Sequence, residues 1–294
     1  MASLYDHKES NIRRTWALFT GFLILVIGLG FAFSYVFQSR AILAFAILFS
    51  VITSFIGYWS SDKIALAISG ARPTEKKENP YLWNIVENLS ITAGLPMPKL
   101  YITPEKQINA FATGRNPENA VIAVTQGALE KLENEELEGV LAHELSHVGN
   151  RDILVSTVAV VLAGVISMLA DFFLRSMLWG GRSRDNRGAG GILIVLGIAL
   201  AILAPLGAML MRLAISRKRE FLADASGSLL TRYPEGLARA LEKIGRDAAP
   251  MRAAHDSTAH LWISNPFKGK GFHKLFMTHP PLEDRVKALR GMSL

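Results

Sequence analysis

The sequence predicts a mainly α integral membrane protein with a small α+β region outside the bilayer. Half of the 294 residues are hydrophobic and the mean hydropathy is +0.26, values that are high for a soluble domain. These apolar residues gather into long uncharged runs, and each run is close to the ~20 residues that a helix needs to cross a bilayer. The segments between and after the runs have the shorter, mixed patterning of helices and strands that is typical of a folded domain.

Four apolar runs predict about four transmembrane helices. They cover residues 16–37, 41–61, 153–170 and 188–211. A cleaved signal peptide is the alternative for the first run, but the run is too long for the apolar part of a signal, and no small-residue cleavage site follows it. The sequence is therefore divided into an N-terminal transmembrane hairpin (1–61), a region with a sheet and a central helix (62–152), a second apolar hairpin (153–212) and a helical region (213–294).

The region 62–152 is predicted to begin with a polar juxtamembrane linker and to continue with a helix that starts at Pro80. Three short runs are predicted strands, at residues 98–102, 108–113 and 120–125, with turn residues between the last two. A short helix follows, and Asn134 is expected to cap a long helix that extends toward Asn150. Residues 247–278 have no clear period and are predicted to be rich in loops, before a short final helix.

The first candidate functional residues lie on the predicted helix that ends near Asn150. His143 and His147 are spaced i, i+4, so both imidazoles lie on one helical face and can reach one metal ion. Glu144 lies beside the pair, where a carboxylate can act on water at that metal. The chain has no cysteine, so a cysteine-based zinc site and a disulfide framework are both excluded.

A catalytic zinc site usually takes three protein ligands, and two kinds of third ligand were considered. A histidine at the short spacing of metzincins is absent after His147. A glutamate on a separate helix is the other choice: Glu220 and Asp224 are again spaced i, i+4, so Glu220 could bind metal while Asp224 accepts a hydrogen bond from a liganding imidazole. In the plainer interpretation, Glu220 forms a solvated salt bridge and Asp224 is an ordinary helical carboxylate.

Four segments carry a resemblance that covers nearly the whole chain. The sequence resembles the HtpX-type integral-membrane zinc metalloproteases, which are relatives of the CaaX prenyl endoproteases. The matching segments are Asn109 to Gly114, His143 to His147, Arg219 to Asp224, and Thr278 to Leu282 with Arg285. At Arg151 the sequence departs from the pattern, where glycine is expected between asparagine and aspartate.

The resemblance implies a gluzincin-like zinc protease domain and assigns its residues. It implies one Zn²⁺ per chain, with His143, His147 and Glu220 as ligands and Glu144 as the catalytic base. Two further groups are assigned on weaker grounds. His279 and Arg285 are candidate oxyanion donors, although His279 before two prolines is equally interpretable as a turn or packing residue. The predicted substrate-binding strand consists of Asn109, Ala110, Phe111, Ala112 and Thr113, whose sheet edge could pair with an extended polypeptide.

Charge and ligand geometry together predict the topology. The net charge of +7 arises mostly from Lys and Arg residues that flank the apolar runs, which favours membrane orientation over nucleic-acid binding. The positive-inside rule places residues 13–14, 63–77 and 212–219 in the cytoplasm, and with them the active site and both termini. The arginines of the loop at 175–187 would then lie outside, which conflicts with the rule locally.

The resulting expectation is a multi-pass protease of the cytoplasmic (inner) membrane. The expected partners are membrane-protein and unfolded polypeptide substrates together with the lipid bilayer, and no nucleic acid. The resemblance implies a role in protein quality control under stress. The alternatives are a non-catalytic zinc-containing scaffold, against which the intact Glu144 argues, and a transporter, for which no charged pathway inside the apolar runs was found.

Overall fold

A computed structural model describes residues 4–180, 217–249, 261–264 and 280–292, together with residues 197, 199 and 251. Its helices are α1 (Leu4–Val36), α2 (Arg40–Trp59), α3 (Ser61–Ile68), α4 (Pro80–Ala93), α5 (Gln126–Lys131), α6 (Asn134–Gly149), α7 (Asp152–Gly180), α8 (Arg217–Thr231), α9 (Pro234–Arg246) and α10 (Leu282–Arg290). Its strands are β1 (Arg72–Pro73), β2 (Lys99–Thr103), β3 (Ala110–Thr113) and β4 (Val121–Thr125). The predicted mainly α architecture with a small sheet is confirmed.

Three of the described helices are long and apolar enough to cross a membrane. These candidate spans are Ser10–Val36 in α1, Arg40–Trp59, which is α2, and Asp152–Phe172 in α7. They pack together through an apolar cluster that includes Phe22 and Leu162, both of which are buried. The fourth predicted run, 188–211, lies outside the described residues apart from residues 197 and 199.

The sheet has the strand order β1-β2-β4-β3, with β2 and β4 parallel and β3 antiparallel to β4. The three predicted strands are all present, with ends that differ by one or two residues. Helix α3 and strand β1 were not predicted, because residues 62–80 were interpreted as a polar linker. Strand β1 is only two residues long and contains Pro73, so its sequence carries almost no strand signal.

Helix α6 is the centre of the domain that lies outside the apolar helices. Nearly all of its residues from Leu137 to Val148 are buried, because α4, the sheet, α8 and α9 surround it. The cap is Glu133 rather than Asn134: the Glu133 side chain accepts from the backbone of the first turn, and its N–H donates to Glu136 at 2.8 Å. This reciprocal capping box satisfies two N–H groups that the helix itself leaves unpaired.

A tight turn connects α6 to α7. Arg151 has φ = +57°, a left-handed conformation that favours glycine, and this accounts for the glycine that the family pattern places there. Asp152, at the first position of α7, faces back toward the last turn of α6, where its carboxylate meets His147. The apolar helix α7 therefore begins directly beside the predicted metal ligands.

Candidate metal centre

Three side chains from two helices meet at one point. His143 and His147 lie one turn apart on α6, and their Nε2 atoms are 3.2 Å apart. Glu220, from the first turn of α8, places its carboxylate oxygens 3.8 Å from His143 Nε2 and 3.6 Å from His147 Nε2. The three predicted ligands therefore offer atoms that all lie within 4.8 Å of one another.

The other nitrogen of each imidazole faces a carboxylate. His143 Nδ1 lies 2.9 Å from Asp224 Oδ1, and His147 Nδ1 lies 3.0 Å from Asp152 Oδ2. Each carboxylate favours the tautomer that carries its proton on Nδ1, which leaves the Nε2 lone pair directed at the metal position. The predicted contact of Asp224 with an imidazole is present, whereas Asp152 was missed although it follows His147 by only five residues.

The residues fit a zinc ion in both chemistry and spacing. With Nδ1 protonated, the two Nε2 lone pairs face each other at 3.2 Å, an arrangement that a cation between them stabilises. Ligand atoms of a tetrahedral zinc site with bonds of ~2.0–2.1 Å are separated by about 3.3 Å. The observed ligand separations lie within about half an ångström of that value. Neutral imidazole and carboxylate are the usual ligands of a catalytic zinc.

Charges around the two imidazoles differ. Burial lowers the pKa of His143 to about 4, with Arg285 contributing in the same direction. For His147, burial alone would lower the pKa, but the hydrogen bond to Asp152 and the charge of Glu220 raise it to about 9. The two shifts have opposite directions although both imidazoles are buried, because the Asp152 and Glu220 carboxylates favour the charged form of His147.

Glu144 lies next to the ligands and is almost fully buried, with 2% of its surface exposed. Burial raises its pKa to about 7, and the negative charge of Glu220 contributes to this shift. The backbone N–H of Ala112 in β3 donates a hydrogen bond to the Glu144 carboxylate, which connects the carboxylate to the sheet edge. A carboxyl group with a pKa near neutrality can both accept and return a proton at physiological pH.

Arg285 approaches the site from α10 with none of its surface exposed. Its Nε and Nη2 donate to the two oxygens of Asp224 at 2.8 and 2.6 Å, and Nη1 donates to the Ile263 carbonyl at 3.0 Å. Burial alone would raise the pKa of Asp224, but Arg285 lowers it to about 2, so the carboxylate that holds His143 stays ionised. The oxyanion function suggested for Arg285 stays a prediction, and His279 lies outside the described residues.

Strand β3 forms the edge of the sheet beside α6, as the sequence predicted. The backbone groups that pair with β4 belong to the alternate residues, as where Thr125 N–H donates to Asn109 O, so those of Ala110 and Ala112 face the outer edge. Part of this edge is already paired: Ile263 N–H donates to Ala110 O at 2.9 Å. The Asn109 side chain bonds Ser264 at both its N–H and its carbonyl, at 3.4 and 3.1 Å. The segment Leu261–Ser264 therefore covers the first two residues of the predicted substrate strand, Asn109 and Ala110.

Three apolar helices that are long enough to cross a membrane, joined to a buried site of two histidines and two glutamates, are typical of the class of membrane metallopeptidases. Comparison with known proteins identifies the family. Residues 76–293 match the model of peptidase family M48, and the chain belongs to this family.

Relatives match almost from end to end. The chain is 47% identical to a protease HtpX homolog of Thermoanaerobacter pseudethanolicus, over 99% of both chains. It is 44% identical to a protease HtpX homolog of Tropheryma whipplei, over 98% of both chains. The crystal structure of Ste24p from S. mikatae aligns with 91% of this chain and 63% of its own, at 19% identity and a TM-score of 0.48. The resemblance to HtpX-type membrane metalloproteases is thus confirmed.

Proposed function

We propose that this metalloprotease is a zinc-dependent endopeptidase of the cytoplasmic membrane that cleaves damaged or misfolded membrane proteins on the cytosolic side. One observation carries the proposal: Glu144 is buried beside a group of three ligand atoms that fits zinc. A structural metal site needs ligands but has no need of an ionisable carboxylate directly beside them. This argues against the alternative of a non-catalytic zinc-containing scaffold.

In the proposed reaction His143, His147 and Glu220 hold Zn²⁺. Zinc, when bound, supplies a Lewis acid that acidifies water and polarises a peptide carbonyl. Glu144 accepts a proton from the attacking water while the water oxygen forms a bond to the scissile carbonyl carbon. The same carboxyl then donates this proton to the departing amine as the C–N bond breaks. The hydrogen bond from Ala112 N–H holds the carboxylate in place during both transfers.

We further propose that substrate binds as an extended strand against β3, with a start three residues later than the sequence suggested. The carbonyl of Ala110 already accepts from Ile263, so a substrate strand has its first edge partner at Ala112. The backbone of Ala112 also contacts Glu144, so substrate pairing there brings a peptide bond next to the proposed base. Main-chain pairing depends little on side chains, which suits an enzyme that degrades varied unfolded chains.

The cytosolic orientation is supported by the distribution of basic residues. Basic residues lie at 13–14, just before the first apolar run, and at 217–219, at the start of the helix that carries Glu220. The positive-inside rule places such residues in the cytoplasm. The metal site lies between these two segments. A role in stress-related quality control rests on the resemblance to HtpX-type relatives.

The test is cleavage of casein and of a destabilised membrane protein by the purified protein in detergent with zinc. Glu144→Gln keeps the size of the side chain but cannot take up a proton, and we expect a loss of at least 10²-fold in kcat with zinc content unchanged. Glu220→Gln is expected to lose zinc as well as activity. Cleavage by Glu144→Gln at the wild-type rate would refute the mechanism, and full zinc affinity in Glu220→Gln would remove Glu220 from the ligand set.

A further inference from the structure

A buried polar contact joins the first apolar helix to the metal centre. Asn11 lies on α1, 141 residues before Asp152, yet its Nδ2 donates to Asp152 Oδ1 at 2.7 Å. The same nitrogen lies 3.2 Å from the carbonyl oxygen of Asn150, at the end of α6. Asn11 and Asp152 each expose only 3% of their surface. Water therefore has little access to replace the amide in these contacts.

The two oxygens of Asp152 have different partners. Oδ2 faces His147 Nδ1 at 3.0 Å, while Oδ1 accepts from Asn11. Arg219 of α8 donates to the amide oxygen of Asn11 at 3.4 Å, and its guanidinium also lies 3.7 Å from Asp152 Oδ1. The amide thus has a cation at its oxygen and an anion at its nitrogen, which fixes its orientation. A carboxylate held at one oxygen has one rotational position in which the other oxygen meets the imidazole.

We propose that Asn11 is a positioning residue for the metal centre: it holds Asp152, and through it the His147 imidazole, in the orientation that binds metal. Its second contact, to the carbonyl of Asn150, fixes the end of the helix that carries His147. The first transmembrane helix thereby takes part in building the site as well as anchoring the chain. Partners of liganding histidines typically change metal affinity by ~10–100-fold when removed. The inference rests on the metal site proposed above.

The test compares zinc affinity in Asn11→Leu with that in a matched variant of the same helix. Leucine has the same number and branching of side-chain heavy atoms as asparagine but leaves Asp152 Oδ1 without its amide donor. Thr15→Val is the control: Thr15 is equally buried, and its hydroxyl donates to the backbone carbonyl of Asn11 at 3.0 Å, so valine leaves the Asn11 side-chain amide and its contact with Asp152 in place. We expect competition with a chelator to show a loss of about 10–100-fold for Asn11→Leu. Thr15→Val is expected to stay within about twofold of wild type, because it removes no hydrogen bond of the Asn11 side-chain amide or of Asp152.

A double-mutant cycle separates positioning from general stability. If Asn11 acts through Asp152, the Asn11→Leu substitution loses its effect on zinc affinity once Asp152→Asn is present. An equal loss in both backgrounds, or wild-type affinity in Asn11→Leu alone, overturns the inference. Failure of the wild-type protein to bind zinc would instead overturn the metal site itself, so the two failures are distinguishable.

One measurement on the wild-type protein keeps the question open to test even if Asn11→Leu does not fold. Coupling between two sites is reciprocal, so zinc binding at His147 must stabilise the contacts of Asn11. We expect zinc to slow amide hydrogen exchange around residues 8–15 severalfold, with no change in the α2 segment around Phe55, which is exposed on the outer face of its helix. Exchange around residue 11 that does not respond to zinc overturns the inference.

Discussion

The crossing of α6 and α8 at Gly227 sets the distance between the histidines and the third ligand. Glu220, Asp224 and Gly227 are spaced i, i+4, i+7, so they lie along one face of α8. An alanine Cβ at position 227 would lie 2.9 Å from His143 N and 3.0 Å from Ala142 C. These are backbone atoms inside a helix, so they cannot rotate away. The two helices would have to separate, because ordinary contacts begin at about 3.5 Å.

The magnitude for Gly227→Ala follows from this geometry. Relief of the clash requires a separation of roughly 0.5 Å, whereas metal–ligand distances tolerate only about ±0.2 Å. Overpacking of this kind costs about 1–3 kcal/mol, which corresponds to a zinc affinity about 10–100-fold weaker if the strain is relieved at the metal site. The measurement is competition for zinc against a coloured chelator in detergent, with helix content and particle size recorded to verify folding.

Gly245→Ala is the matched control. It lies in α9, and its added methyl meets only the Leu282 Cδ1 atom at 3.4 Å, at the tip of a flexible side chain. We expect unchanged zinc affinity and a slightly higher melting temperature, since alanine in a helix is favoured over glycine by ~0.5–1 kcal/mol. A folded Gly227→Ala protein that binds zinc within twofold of wild type would refute the argument that this close approach sets the site.

Two further substitutions test the surroundings of the site. Arg285→Lys removes the two-pronged contact with Asp224 and is expected to weaken zinc binding by about tenfold; a collapse of kcat with zinc affinity intact would favour the oxyanion function instead. Burial acts to raise the pKa of Asp247, but the backbone N–H groups of Ile108 and Ala249 and the Lys131 ammonium lower it below its ordinary value of 3.8. A lowered pKa in the folded state stabilises the protein above the ordinary value, and this stabilisation is lost as pH falls through the folded pKa. Asp247→Asn is thus expected to have a lower melting temperature than wild type at pH 6, and this difference is expected to disappear at a pH below the folded-state pKa of Asp247. Equal melting temperatures at pH 6 would contradict this.

The ligands were predictable from the sequence because their geometry is local. A spacing of four residues on a helix is enough to bring His143 and His147 together, and the same spacing pairs Glu220 with Asp224. Helix α8, which carries Glu220, could be linked to α6 only through the family resemblance, since no local sequence pattern indicates that the two helices pack together. The structure adds that they meet at Gly227.

The contacts that were missed are long-range pairings of ordinary polar residues. Asn11 sits in a polar N-terminal segment and has no sequence signal that relates it to Asp152. Residues 261–264 lie in a region of no clear period, and only the apolar pair Trp262-Ile263 hints at burial. The edge-to-face contact of Trp262 with Phe111, at 4.7 Å between ring centroids, depends on how distant segments meet. Such pairings are properties of the tertiary fold, and periodicity does not encode them.

The contact between Asp152 and His147 also sets how close to the bilayer this enzyme can work. Asp152 is the first residue of a candidate membrane span, and it touches the imidazole of a proposed metal ligand. An extended chain advances about 3.3–3.6 Å per residue, so a stub of only about three residues already reaches ~10 Å beyond the end of its own membrane span. A polypeptide could therefore be severed almost flush with the membrane, without first being pulled out of it. Substrates with such short exposed ends are those that soluble proteases reach poorly.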